Sequence, residues 1–198
     1  MQVKLEKTFP IAAPAANAWR LLQDIKAVAE CMPGAQITEQ TDPTHFKGQV
    51  KMRVGPASAT FNGELEVKSL DPNEKKMEML GKGTDTSGAS AATMNLIAQV
   101  RDSGDGRCEL IGVSDVSVSG KMANFGGRMM IQVSDQILKQ FGDNFATRVI
   151  AMGEGAAAEQ AAAAVAQQPK ELNALALIWH ALLGFFKSLF GGGKSQGG

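Results

Sequence analysis

The sequence predicts an α+β fold in which a curved antiparallel sheet wraps around one long C-terminal helix. Three observations carry this. Between residues 45 and 120, apolar residues alternate with polar ones in runs separated by turn signals. After them, Phe125, Met129, Val133, Ile137, Phe141, Phe145 and Val149 follow one another at a stride of four. Near Ile150 the composition then shifts to Ala, Gln, Glu and Gly, with no aromatic residue up to Asn173.

The elements follow in order. Residues 2–9 alternate, with Val3 and Leu5 against Lys4 and Glu6, which predicts a strand rather than a signal peptide. Pro14 stands where a helix begins, before AANAWRLLQD. Asp24 suits the cap of a second short helix, IKAVAEC, which Pro33-Gly34 ends. Phe46, Val50, Met52 and Val54 then share one strand face, and Gly55-Pro56 breaks the run. Phe61, Leu65 and Val67 share a face in the next run, and Asp71-Pro72-Asn73 is a turn. Met77 and Met79 alternate with charged neighbours, and Met94, Leu96, Ala98 and Val100 alternate again. Ser103-Gly104-Asp105-Gly106 reads as a hairpin turn before the face formed by Cys108, Leu110, Gly112, Ser114, Val116 and Val118. The stride-four ridge predicts a helix of about 25 residues. It drifts about 40° per step and so winds around the helix, which suits a twisted sheet.

This gives a domain over residues 1–150, an Ala/Gln-rich linker over 151–172, and an apolar element with a Gly-rich end over 173–198. The linker reads as flexible or partly helical and too poor in large side chains to bury a core. Fully extended, about 20 residues of it reach up to roughly 70 Å.

Composition excludes several classes. Lys plus Arg and Asp plus Glu are 20 each, so the basic excess of a nucleic-acid binder is missing. Two cysteines rule out a disulfide scaffold and a multi-cysteine zinc site. Two histidines and no tyrosine leave little for acid–base catalysis or metal ligation. His45 follows a turn with no partner evident. Gly81-Lys82-Gly83 lacks the strand-to-helix context of a phosphate loop.

What remains is apolar. The face-sharing positions Val50, Met52, Phe61, Leu65, Met77 and Met79 are candidates to line a cavity, with Met94, Leu96 and Leu110 on later strands. Met122, Phe125, Met129, Val133 and Ile137 would line it from the helix side. Methionine adapts its shape to irregular ligands. The same residues also suit an ordinary methionine-filled core. Small residues at Gly48, Gly63, Gly81, Ala91, Ala98 and Gly112 favour open space. Cys31, beside Pro33-Gly34, reads as a buried small side chain or as a gate to that space. Cys108 reads as structural. Arg128 reads as a solvated cation or as the partner of a polar head group.

Residues 174–190, ALALIWHALLGFFKSLF, are too short and too interrupted by His180 and Lys187 to span a bilayer. As a helix, they place Leu175, Ile178, Trp179, Leu182, Phe186, Leu189 and Phe190 on one side; Phe185 adds to the aromatic cluster. This predicts a segment lying in the membrane interface. Packing on the domain or on a partner protein is the alternative. From Ala151 onward Lys and Glu are balanced, so lipid binding by the tail should depend little on salt.

Several local motifs carry a family resemblance. They are Ile11-Ala12-Ala13-Pro14 with Trp19, Cys31-Met32-Pro33-Gly34, Val54-Gly55-Pro56 with Phe61-Asn62-Gly63, and Gly81-Lys82-Gly83-Thr84-Asp85. Val118-Ser119-Gly120-Lys121-Met122-Ala123 with Gly126-Gly127-Arg128 completes the set. In this order they resemble the carbon monoxide dehydrogenase G-subunit (CoxG) family of the START-like helix-grip (SRPBCC) superfamily, over roughly residues 1–148. The resemblance implies association with a molybdenum-containing CO dehydrogenase or a related xanthine-oxidase-type hydroxylase at the cytoplasmic face of the cell membrane. It does not imply that this chain holds molybdenum; no metal site and no covalently bound cofactor are expected. The expected role is non-enzymatic: a peripheral, membrane-tethered carrier of an apolar ligand, a respiratory quinone such as menaquinone or ubiquinone, linking the enzyme to the quinone pool for electron transfer. A ligand-free recruitment adaptor and a maturation factor are the alternatives. A cyclase-type enzyme, which the fold can host, would need convergent acid–base residues that the composition hardly supplies.

Overall fold

A computed structural model describes residues 1–54 and 57–167. Strand β1 (Gln2–Ile11) leads into helices α1 (Ala15–Gln23) and α2 (Ile25–Cys31). Six strands follow: β2 (Ala35–Gln40), β3 (His45–Val54), β4 (Ala57–Asp71), β5 (Lys76–Asp85), β6 (Ser90–Gly104) and β7 (Arg107–Gly120). A 3-10 turn (Lys121–Phe125) precedes α3 (Gly127–Ala151), and α4 (Ala156–Ala166) comes last. All neighbouring strands are antiparallel, in the order β1-β7-β6-β5-β4-β3-β2, so the sheet is open with β1 and β2 at its edges. The helix-grip architecture is therefore present.

Local chemistry accounts for the boundaries. Pro14 sits at the N-cap of α1, and the Asp24 carboxylate accepts the Ala27 N–H at 3.0 Å to start α2. Asp105 and Gly106 both have positive φ and close the β6–β7 hairpin. Asp71 accepts the N–H groups of Asn73 and Glu74, holding the β4–β5 turn. The helix after β7 has the expected 25 residues but starts at Gly127. Phe125 belongs to the preceding 3-10 turn.

Helix α3 runs alongside β1 in the same direction. Lys7 Nζ meets Asp135 Oδ1 at 2.8 Å, and Phe9 stacks edge-on against Phe141 with centroids 5.9 Å apart. The contact is close enough to require Gly142, where a Cβ would sit 2.2 Å from Phe9 Cδ1. The core gathers at one end of the sheet. There Ile11, Cys108, Val100, Met77, Val67 and Phe46 of the sheet pack on Trp19, Leu22 and Ile25 of α1 and α2, and on Phe145 and Val149 of α3. Each such large side chain contributes roughly 1.5–3 kcal/mol on burial. Asn144 Nδ2 donates to the Cys31 carbonyl at 3.0 Å and Arg148 Nη1 meets Glu30 at 2.9 Å, fastening α2 to α3.

The first part of the expected linker is helical, one of the two states that its composition allows. Residues 152–155 turn it, and α4 returns antiparallel along α3, with Ala158 and Ala161 buried at i, i+3 spacing. Small side chains suffice to bury this face because they let two helix backbones approach closely.

Candidate functional site: the open end of the sheet

Strand register sorts the side chains. Residues directly opposite in an antiparallel pair lie on one face. Leu110, Val100, Ala98 and Met77 share the helix-bearing face, as do Ser114, Leu96 and Met79, and then Met94, Gly81, Leu65 and Phe46. Phe61 and Val50 pair on that face, and Met52 lies two residues beyond Val50. The nine strand positions singled out in the sequence therefore all point towards the helices.

They do not share one environment. Met77, Met79 and Leu110 are buried in the core, and Phe61 is buried outside it. Val50, Met52, Leu65, Met94 and Leu96 are only half-buried although they face inward. So are Met122, Val133 and Ile137, while Met129 is 39% exposed. The Phe125 side chain lies outside what the structure describes, as do residues 168–198, which include the tail residues Leu175, Ile178, Trp179, Leu182, Phe185, Phe186, Leu189 and Phe190.

The cause is the placement of the helices. Helices α1, α2 and the C-terminal half of α3 occupy the closed end, marked by Ile11 and His45. At the open end, marked by Gln2, Asp85 and Gly120, the 3-10 turn packs on β7 and β6, while α3 packs on β1. The floor there is bare: Gly48, Gly63 and Gly83 face one another across β3, β4 and β5, with Ala92 next on β6. The strands approach closely at this stripe, where a Cβ on Gly63 would lie 2.6 Å from the Lys82 carbonyl oxygen. At the open end, inward-facing apolar side chains are thus left only partly covered.

Three polar groups near this end give no signal in the sequence. Ser114 is 8% exposed and points inward beside Leu96. Lys7 and Asp135 form their ion pair two residues further along β1 from Leu5, which pairs with Ser114. A lone Ser or Lys in an alternating strand looks like any other polar position. Only the register shows what it faces.

Other candidates fall elsewhere. His45 pairs with Glu66 on the opposite face of the sheet, and its partner is Asp42, 2.8 Å from Nδ1. The Thr44 N–H and the His45 ring hold the Asp42 carboxyl down at about 2. Cys31 is buried, donates to the Ala27 carbonyl at 3.3 Å, and its thiol is pushed up to about 12 by burial. Burial also raises the Cys108 thiol. Gly81 and Gly83 lie within β5, so no phosphate loop forms. No group of three metal-ligating side chains occurs among the described residues, and no helix there is long and apolar enough to cross a membrane.

Charge divides along the strands. The open end carries the N-terminal ammonium, Lys51, Lys121 and Arg128 against Asp85. The closed-end turns carry Asp42, Asp71, Glu74, Asp102 and Asp105 against Lys75 and Arg107.

An open antiparallel sheet gripping one long helix is the START-like, helix-grip fold. Solved structures agree. A conserved protein from Geobacillus kaustophilus superposes with a TM-score of 0.68 at 16% identity, covering 74% of this chain and 95% of its own. The Zhui aromatase/cyclase from Streptomyces sp. R1128 gives 0.56 at 16%, covering 75% and 94%. A START superfamily protein from Mycobacterium smegmatis gives 0.54 at 17%, covering 74% and 96%. Within that class, residues 8–150 match the carbon monoxide dehydrogenase G-subunit (CoxG) family, and the chain belongs to it. No curated protein matches the chain. Membership supports an accessory role for CO dehydrogenase.

Proposed function

We propose that this protein is a non-enzymatic carrier that holds a respiratory quinone in the open-end cleft and links a molybdenum-containing CO dehydrogenase, or a related hydroxylase, to the membrane quinone pool. The observation that carries the reading is the half-buried state of inward-facing Val50, Met52, Leu65, Met94 and Leu96. Apolar side chains facing a helix across a glycine floor would be sealed in a filled core. Here they retain room for a ligand. A quinone head is flat, apolar and edged by two carbonyls. Ser114 offers a hydroxyl donor to such a carbonyl, and the methionines adapt to its faces. The ligand's isoprenoid chain would leave through the open end.

The tail supplies the tether in this reading. In it, residues 174–190 would form an interfacial helix that buries their Trp, Phe and Leu at the cytoplasmic face, where the partner enzyme would work. The recruitment adaptor is the second reading, because the family assignment supports it without a ligand. A cyclase reading finds little support, since His45 projects from the face opposite the cleft.

Mass spectrometry of an organic extract of the purified protein tests the proposal. A stoichiometric quinone is expected. An extract free of quinone, together with no uptake of added menaquinone or ubiquinone analogue, would leave only the adaptor.

A further inference from the structure

We propose that the open end is itself a lipid-docking surface, with the first turns of α3 entering an anionic bilayer end-on at headgroup depth. This rests on the carrier reading and adds where its ligand enters. Met129 and Ile131 are 39% and 46% exposed. Two residues apart on a helix, they project about 200° from each other. A protein groove, a second copy of this chain or its own tail would cover one side of the helix and leave the other wet. A bilayer surrounds the helix end and covers both.

Four features fit the same occupant. Helix α3 runs with β1 away from the open end, so its N-terminus is the part that reaches furthest out there. Arg128 and Lys121 flank the apolar pair at the cation-rich end of the sheet, matching an anionic leaflet. Helix α4 returns antiparallel along α3, so the chain leaves Gln167 heading for this same end. Headgroup depth also leaves lipid phosphates to accept the free N–H groups of the helix's first turn, whose N-cap Gly126 offers no side chain. Docked this way, the cleft mouth opens into lipid and a quinone passes between them without crossing water.

The test uses the full chain with Ile131→Cys or Leu70→Cys, each labelled with an environment-sensitive fluorophore. Leu70 is the matched control, also 46% exposed but at the closed end. Cys31 and Cys108 are buried and do not compete for label. Vesicles of phosphatidylcholine, alone or with a quarter phosphatidylglycerol, carry nitroxide lipids. On anionic vesicles the label at 131 should be quenched by the nitroxides and that at 70 should stay accessible to aqueous iodide. Lys121→Gln with Arg128→Gln should weaken partition onto anionic vesicles about thirtyfold, with no change on neutral ones. Added salt should weaken the anionic binding of the native chain, unlike binding through the charge-balanced tail alone. If the chain pellets with vesicles while position 131 stays as wet as 70, the docking surface is wrong and the tail anchor stands. Shielding of 131 without lipid, lost on deleting residues 168–198, would show the tail as its cover and overturn the proposal. Failure to pellet with any vesicle defeats both the docking surface and the anchor.

Discussion

Replacing Met94 by Trp separates an open cleft from a filled core. Met94 is half-buried on the inner face and lies over Gly81, where a Cβ would come within 3.4 Å of Met94 Cε and 3.1 Å of Leu65 Cδ2. In a close-packed core the added volume costs about 1–3 kcal/mol. If the open end holds the proposed cleft, the indole enters free space and the expected cost is below about 1 kcal/mol. Gly142→Ala supplies the contrast at the closed end. Its new methyl falls 2.2 Å and 2.6 Å from Phe9 Cδ1 and Cε1, so the ring must leave its edge contact with Phe141. Overpacking of up to about 3 kcal/mol, less about 1 kcal/mol of regained helix propensity, leaves a net loss near 2 kcal/mol. At roughly 2–4 °C per kcal/mol for a chain of this size, Gly142→Ala lowers Tm by some 4–8 °C, and Met94→Trp by less than half of that. Thermal scans with a quinone analogue complete the assay. At a hundredfold excess over Kd a ligand adds about 2.7 kcal/mol, a rise of roughly 5–11 °C. The native chain should show that rise and Met94→Trp should not. A Met94→Trp variant destabilised as much as Gly142→Ala, in a chain whose native form shows no ligand-dependent rise, refutes the cleft.

Two further outcomes follow from the geometry. The Cys31 thiol is neutral in the folded chain up to about 12, against about 9.0 unfolded, so the unfolded state loses this proton first. Stability is therefore full below pH 9 and falls as pH rises towards 12; urea midpoints should decline less over that window in Cys31→Ala, and identical slopes would remove Cys31 as a cause. Gly63→Ala should cost about 2 kcal/mol or more by chemical denaturation, because its Cβ meets the backbone oxygen of Lys82 rather than a side chain able to swing aside; a neutral result would mean that β4 and β5 separate easily at the glycine stripe.

Much of the fold is legible in the sequence because a sheet writes itself in a period of two. Every strand position picked from alternation, from Val50 to Leu110, lies on the inner face. The stride of four in α3 is equally plain. What periodicity cannot give is which end of the sheet the short helices cover. That depends on the chain turning at Pro14 and Gly34, and it separates buried Met77 from half-buried Met94. Strand β2, AQITEQ, has a single large apolar residue and a bulge between Ile37 and Glu39, so alternation marks it poorly. Helix α4 reads as linker because an alanine face carries almost no hydrophobic contrast. Lys7, Ser114 and Asp135 acquire meaning only through partners far away along the chain.

The folding of α4 onto α3 changes the mechanics of any tether. Eleven residues of the stretch read as a flexible or partly helical linker are wound up against the domain. Six residues separate Gln167 from the apolar run at 174, and six residues span at most about 20 Å. If the tail is held in lipid as proposed, the domain would be on a short leash. Its local concentration at the bilayer surface would then be high, and an enzyme taking the proposed ligand would have to come down to the membrane to do so.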